Sequence, residues 1–218
     1  MVLLSPSVCA LKTLLKICES YAGIHGLRYN ADKTELLIFK AGTKTYNIVP
    51  PIELGGVQLK LVTQFKYLGH WVTASQNHDL DLEGERRALS VRSNMLIRRF
   101  AKCTTSVKLT LFRAYCQSFY TCSLWVNYTK KAFSALRVLY NNSFRMLMGL
   151  PRYCSASGMF AEARTDDFHS IMRKRVATLM RRVRGSANSL LRTIAEANDS
   201  PIIGHWAKSH ASFANFDK

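Results

Sequence analysis

Acid is scarce in this sequence relative to base. Fourteen Asp and Glu stand against 31 Lys and Arg, a formal net charge of +17 over 218 residues. That imbalance makes a polyanion the first partner to consider. There is no uninterrupted run of about 18 apolar residues, so no membrane-spanning helix is expected. Met1-Val2-Leu3-Leu4 carries no basic lead, and Pro6, Lys12 and Lys16 break up any apolar core of a leader. No secretory leader is therefore read, and an intracellular location, nuclear or cytoplasmic, is expected. Cys9, Cys18, Cys103, Cys116, Cys122 and Cys154 form no Cys-x-x-Cys pair, and no His lies at zinc-ligand spacing from two of them. Reduced and mostly buried thiols are the resulting expectation.

Motifs for conventional catalysis are missing too. There is no Gly-x-Ser-x-Gly elbow, no His-Glu-x-x-His helix, no Walker loop and no Gly-rich dinucleotide turn. Adjacent Asp166 and Asp167 read as acids at a helix N-terminus rather than a metal pair. No set of converging carboxylates stands out, so no metal or other cofactor is expected in this chain.

What remains is an ordinary globular composition, 48% hydrophobic and 21% charged, which excludes a disordered chain. The length fits one or two domains. Charge is distributed in a step. Asp79, Asp81, Glu83 and Glu85 crowd together, and then Arg86 through Ala161 holds 13 Lys and Arg and no acid. The step places a boundary near residue 75.

Before the boundary the pattern is mixed. Val2–Leu4 reads as the end of a strand, and Ser5 as the cap of a helix with Pro6 at its first position. Val8, Leu11, Leu14, Leu15, Cys18 and Tyr21 come next at helical spacing, ended by Gly23 and Gly26. Strands are expected at Thr34–Phe39, at Thr45–Val49, on either side of Gly55-Gly56, and at Phe65–Val72 with an interruption at Gly69.

After the boundary everything reads as helix. One stripe contains Leu82, Ala88, Leu89, Val91, Met95, Leu96 and Phe100. Val107–Trp125 is apolar on most faces, as for a central helix. A third helix carries Leu136, Tyr140, Phe144 and Leu147 and is stopped by Gly149 and Pro151. A fourth stripe runs from Phe168 to Val183, and the tail after Ala197 reads as loose.

On the third helix, Lys130, Ser134, Arg137, Asn141 and Arg145 keep within about 80° of one side at 100° per residue. All five can donate to phosphate oxygens. An ordinary surface mixes both signs, so the acid-free stretch favours nucleic-acid contact over plain solvation. The cluster Arg173, Lys174, Arg175, Arg181, Arg182 and Arg184 fits nucleic acid, a plain amphipathic helix or a localisation signal alike.

The order of the motifs carries a specific resemblance. A helix, the segment GIHGLRYNADKTELLIF, a hairpin, FKYLGHWVT, basic helices and RMLMGLPR occur in that order. The order resembles the back half of the reverse transcriptase of non-LTR (LINE-type, jockey-like) retrotransposons, over roughly residues 1 to 185. The family's Gly-Leu-x-x-Asn-x-x-Lys-Thr pattern is matched by Gly26, Leu27, Asn30, Lys33 and Thr34. Its Phe-x-Tyr-Leu-Gly segment is matched by Phe65, Tyr67, Leu68 and Gly69. Its Leu-Gly-Leu-Pro-Arg-like segment is matched by Met148, Gly149, Leu150, Pro151 and Arg152. MVLLSPSV looks like the residues that come directly after the family's Tyr-x-Asp-Asp turn.

The resemblance implies an α+β fold: a partial polymerase palm, with a helix plus short antiparallel strands and a hairpin, followed by an all-α thumb bundle. The implied domains are palm with primer-grip hairpin over 1–75, thumb over 76–155, and a helical extension with a loose tail over 156–218. Lys33 would be the leaving-group acid near the incoming nucleotide. Tyr67, Leu68 and Gly69 would grip the primer's 3′ end. Lys130, Arg137, Asn141, Arg145 and Arg152 would contact RNA, DNA or an RNA–DNA hybrid duplex. The family's Mg²⁺-binding aspartates and its fingers precede residue 1, so Met1 reads as an internal methionine and the chain alone as inactive. The alternative is a non-catalytic, basic helical nucleic-acid-binding protein derived from such an element. No membrane and no particular protein partner is implied.

Overall fold

Ser7, not Ser5, caps the first helix. The computed structural model describes residues 1–40, 49–197 and 200–214, with side chains through residue 208. In it α1 spans Val8–Ile24, and the Ser7 hydroxyl accepts the Ala10 amide at 3.2 Å. Ser5 turns onto Ser7 instead, its Oγ accepting the Ser7 amide at 3.3 Å, and this leaves Pro6 outside the helix. Val2–Leu4 is not a strand: Leu3 packs on the small core of the first unit, while Met1 and Leu4 stay exposed.

The protein is mixed α and β and divides into two compact units, Met1–Asn77 and His78–Lys218. In the first, a 3₁₀ turn at Ala31–Lys33 leads into β1 (Glu35–Leu37), which is shorter than the expected Thr34–Phe39. Then come β2 (Glu53–Leu54), β3 (Val57–Gln58), β4 (Lys60–Val62), β5 (Gln64–Tyr67) and β6 (His70–Thr73). β2 and β3 form the expected hairpin at Gly55-Gly56, with φ of +60° and +78°. Positive φ at both turn residues matches the twist of the flanking strands. The expectation of antiparallel strands alone is corrected, since β1 and β4 pair in parallel with Leu36 opposite Leu61.

The run Phe65–Val72 is likewise two strands, not one. Leu68 and Gly69 adopt φ of 48° and 87°, fold the run back, and set Tyr67 opposite His70. The strand expected over Thr45–Val49 falls, apart from Val49, outside the described residues. A small core of Leu15, Ile52, Leu54 and Leu59 holds α1 against these strands.

In the second unit the described residues hold helices and no strand. They are α2 (Asp79–Arg99), α3 (Thr105–Cys116), α4 (Lys130–Met148), α5 (Ala156–Glu162), α6 (Phe168–Arg184), α7 (Ser189–Glu196) and α8 (Pro201–Ala214). Leu82, Leu89 and Leu96 recur every two turns of α2 and are buried, as are Leu136, Tyr140, Phe144 and Leu147 of α4. α2 and α4 make the most extensive helix pair. Val91, expected in the stripe, is exposed because two residues carry it about 200° around from Leu89. The aromatic centre is edge-to-face where Phe112 meets Phe144, 5.0 Å apart.

Two further expectations are corrected. The central helix ends at Cys116, and residues 117–129 run irregularly through a 3₁₀ turn at Cys122–Leu124. That path lets Thr121 and Trp125 converge on the Asp81 carboxylate. The tail is not loose throughout, because α8 buries Trp206 beside Val176 and Val183. The Trp206 indole N–H donates to the Ser123 carbonyl at 2.9 Å. Among the described residues no helix is long and apolar enough to cross a membrane.

Candidate nucleic-acid interface

α4 is held at both ends. Thr129 caps it by accepting the Ala132 amide at 3.2 Å. The Thr129 amide itself donates to Asp79 Oδ1 at 2.7 Å, which ties the starts of α2 and α4 together. Gly149, at φ 70°, closes the far end in the left-handed region where a residue without Cβ costs least. With Leu136, Tyr140, Phe144 and Leu147 turned inward, the expected basic row lies along one flank. Lys130 is exposed, and Ser134, Arg137, Asn141 and Arg145 are half-buried.

The row is not uniform. Arg145 donates Nε and Nη2 to the Cys154 carbonyl at 3.1 and 2.9 Å, and Nη1 to Asn142 Oδ1 at 2.9 Å. Its guanidinium thus fastens the 149–154 turn. Arg137 lies near His169, whose pKa is lowered first by burial and further by the Arg137 and Arg173 cations. Arg152 is exposed on the turn that Arg145 fastens, next to the 90% exposed ring of Tyr153.

Sorting the cations of the acid-free stretch separates structure from surface. Arg86 and Arg87 pair with Glu83 at 2.7 and 2.9 Å, and Arg92 pairs with Glu85. The two arginines hold the Glu83 carboxyl down to about 2. Arg113 donates to the carbonyls of Ala163 and Arg164 and to the Thr165 hydroxyl. The others have no hydrogen-bond or ion-pair partner among the described residues. They are Arg98, Arg99 and Lys102 at the end of α2, Lys108 on α3, Lys130, Lys131 and Arg137 on α4, and Arg152.

In the first unit Lys33 is exposed at the end of the 3₁₀ turn, where Asn30 Oδ1 accepts its amide at 3.0 Å. Tyr67, Leu68 and Gly69 form the exposed corner of the β5–β6 hairpin, with Leu68 76% exposed. Corner and lysine belong to the same unit.

The acids lie at helix starts, as expected for Asp166 and Asp167, but they take different partners there. Asp167 does cap α6, accepting the Ser170 amide at 2.6 Å, and Asp166 pairs with Lys174 at 2.7 Å. Asp81, however, is buried, and its Oδ2 accepts both the Thr121 hydroxyl and the Trp125 indole at 2.6 Å. Both partners lie at least 40 residues away, so no local spacing signals the contact. No group of three His, Cys, Asp or Glu among the described residues is placed to hold a metal ion. All six cysteines are free, but only Cys116 and Cys122 are buried, fewer than expected. Burial pushes these two thiols up to about 11 and about 12, away from reactivity.

Comparison with protein-family models, curated proteins and solved structures finds no match to this chain.

Proposed function

We propose that the protein binds the phosphate backbone of nucleic acid with little sequence preference, as the end of the palm plus the thumb of a non-LTR retrotransposon reverse transcriptase. One observation carries the binding half of this reading: eight cations of a 76-residue acid-free stretch have no hydrogen-bond or ion-pair partner among the described residues. The order of the sequence motifs carries the polymerase half. In this role Lys130, Arg137 and Arg152 lie on phosphates. The Tyr67–Gly69 corner receives a primer's 3′ end, and Lys33 stands near the incoming nucleotide.

Fluorescence anisotropy with a labelled RNA–DNA hybrid tests it. Neutralising about four to six phosphates gives a slope of log affinity against log salt of roughly −4 to −5, alike for unrelated sequences. No binding at low salt, or binding without salt dependence, overturns the reading.

A second reading is a non-catalytic, basic helical nucleic-acid-binding protein derived from such an element. It is favoured by the exposure of basic residues along α2 and α4, independent of any primer contact. The two separate on a recessed 3′ end. Under the polymerase reading, replacing Tyr67 and Leu68 with Ala removes a preference for that end. Under the second reading there is no preference to remove.

A further inference from the structure

We infer that the groove between α3 and α6 seats a backbone phosphate of the bound nucleic acid; this deepens, and rests on, the proposal that the protein binds nucleic acid. The groove encloses about 330 Å³. That is the small end of ligand-sized clefts, enough for a phosphate and an adjoining sugar rather than a base pair.

Its polar lining comes from Arg113, Gln117, Ser118, Asp166, Lys174 and Arg175. Three cations therefore face one carboxylate. Arg113 is held by Nε and Nη2 on Thr165 Oγ1, with Nη2 also on the 163 and 164 carbonyls. A guanidinium fixed on that side keeps Nη1 for a ligand at little cost in ordering. Lys174 Nζ lies 2.7 Å from both Asp166 oxygens, so the one acid positions one cation. Arg175 is exposed and has no hydrogen-bond or ion-pair partner among the described residues. Ser118 Oγ accepts from Arg92 Nη1 at 3.3 Å, which leaves its own proton to donate. The groove thus presents fixed and mobile donors with a surplus of positive charge, the arrangement that a phosphodiester oxygen pair matches.

The geometry also splits the α6 cluster. Lys174 and Arg175 line the groove, while Arg181, Arg182 and Arg184 do not. It adds Arg113, a residue for which sequence spacing gives no signal, because its partners lie some 50 residues away.

The test uses the intact chain, a labelled RNA–DNA hybrid and a salt titration. Lys174→Gln combined with Arg175→Gln should weaken binding about 5- to 10-fold near physiological salt. It should also make the salt slope shallower by about one, the share of one phosphate. Arg175→Gln alone should give a smaller loss in the same direction. Its side chain has no hydrogen-bond or ion-pair partner among the described residues, so this variant decides the matter if the double variant does not fold. If the wild-type chain binds the hybrid while Arg175→Gln and any folded double variant match its affinity and slope, the groove takes no phosphate and the broader reading stands. An acidic peptide as the true occupant would give that result too. If the wild-type chain does not bind at all, both fall together.

Discussion

Trp125 donates its indole N–H to Asp81 Oδ2 at 2.6 Å, and Thr121 donates its hydroxyl to the same oxygen. The irregular stretch after α3 is thereby fastened to the first turn of α2. Asp81→Ala leaves two buried donors unanswered, at about 1 to 3 kcal/mol each when no water replaces the acceptor. Unfolding in urea should show a loss of about 3 kcal/mol, and Asp81→Asn, which keeps an acceptor oxygen, a smaller one. An unchanged midpoint for the Ala variant would mean that this contact does not hold the stretch in place.

Lys130 and Arg145 should part company. Replacing Lys130 and Arg137 with Gln should flatten the salt slope of hybrid binding by about two with little change in thermal stability. Arg145→Gln should instead cost about 1 to 2 kcal/mol of stability, because its charge-assisted bonds to the Cys154 carbonyl are lost. Equal effects of the two sets on binding and stability would refute this division.

Burial lowers the pKa of His169, with Arg137 and Arg173 pushing the same way and Asp167 opposing. Burial and Lys208 lower that of His205, whose ring meets Tyr128 at 6.0 Å. A histidine whose folded pKa is depressed gives full stability above its unfolded value near 6.5 and loses it as pH falls through the folded value. Melting temperature should therefore fall on acidification from about pH 6.5 towards about 5, before most carboxylates titrate. Replacing both histidines with Gln should flatten the curve over that interval. A wild-type curve already flat there would contradict the assignment.

Primer extension on an RNA template with Mg²⁺ or Mn²⁺ should be nil for this chain, because its sequence carries no Tyr-x-Asp-Asp turn. Template-dependent synthesis that survives removal of contaminating polymerases would reverse that expectation.

Helices were legible where their signals are local. Leu136, Tyr140, Phe144 and Leu147 mark the inner face of α4 by spacing alone, and Gly149 and Asp167 mark an end and a beginning within one turn. Asp81 was not legible as a buried anchor, since four acids in close succession look alike until Trp125 selects one. Residue pattern marked only an interruption at Gly69, and the hairpin there came from the resemblance, because a leucine with positive φ carries no turn signal in its side chain. Of the basic row, spacing gave the shared flank. It could not separate Arg145, which bonds a carbonyl nine residues on, from Lys130, which bonds nothing described.

Ser123 and Trp206 are 83 residues apart in the chain. At a translation rate of about 5 to 20 residues per second, Ser123 waits about 4 to 17 seconds for its partner to be synthesised. Val176 and Val183 precede Trp206 by 30 and 23 residues, so for about the last 1 to 6 seconds of that interval the nascent chain carries an open apolar edge on α6. A chaperone that shields such edges has its opportunity there, and a ribosome stalled between α6 and α8 would prolong the exposure of that edge.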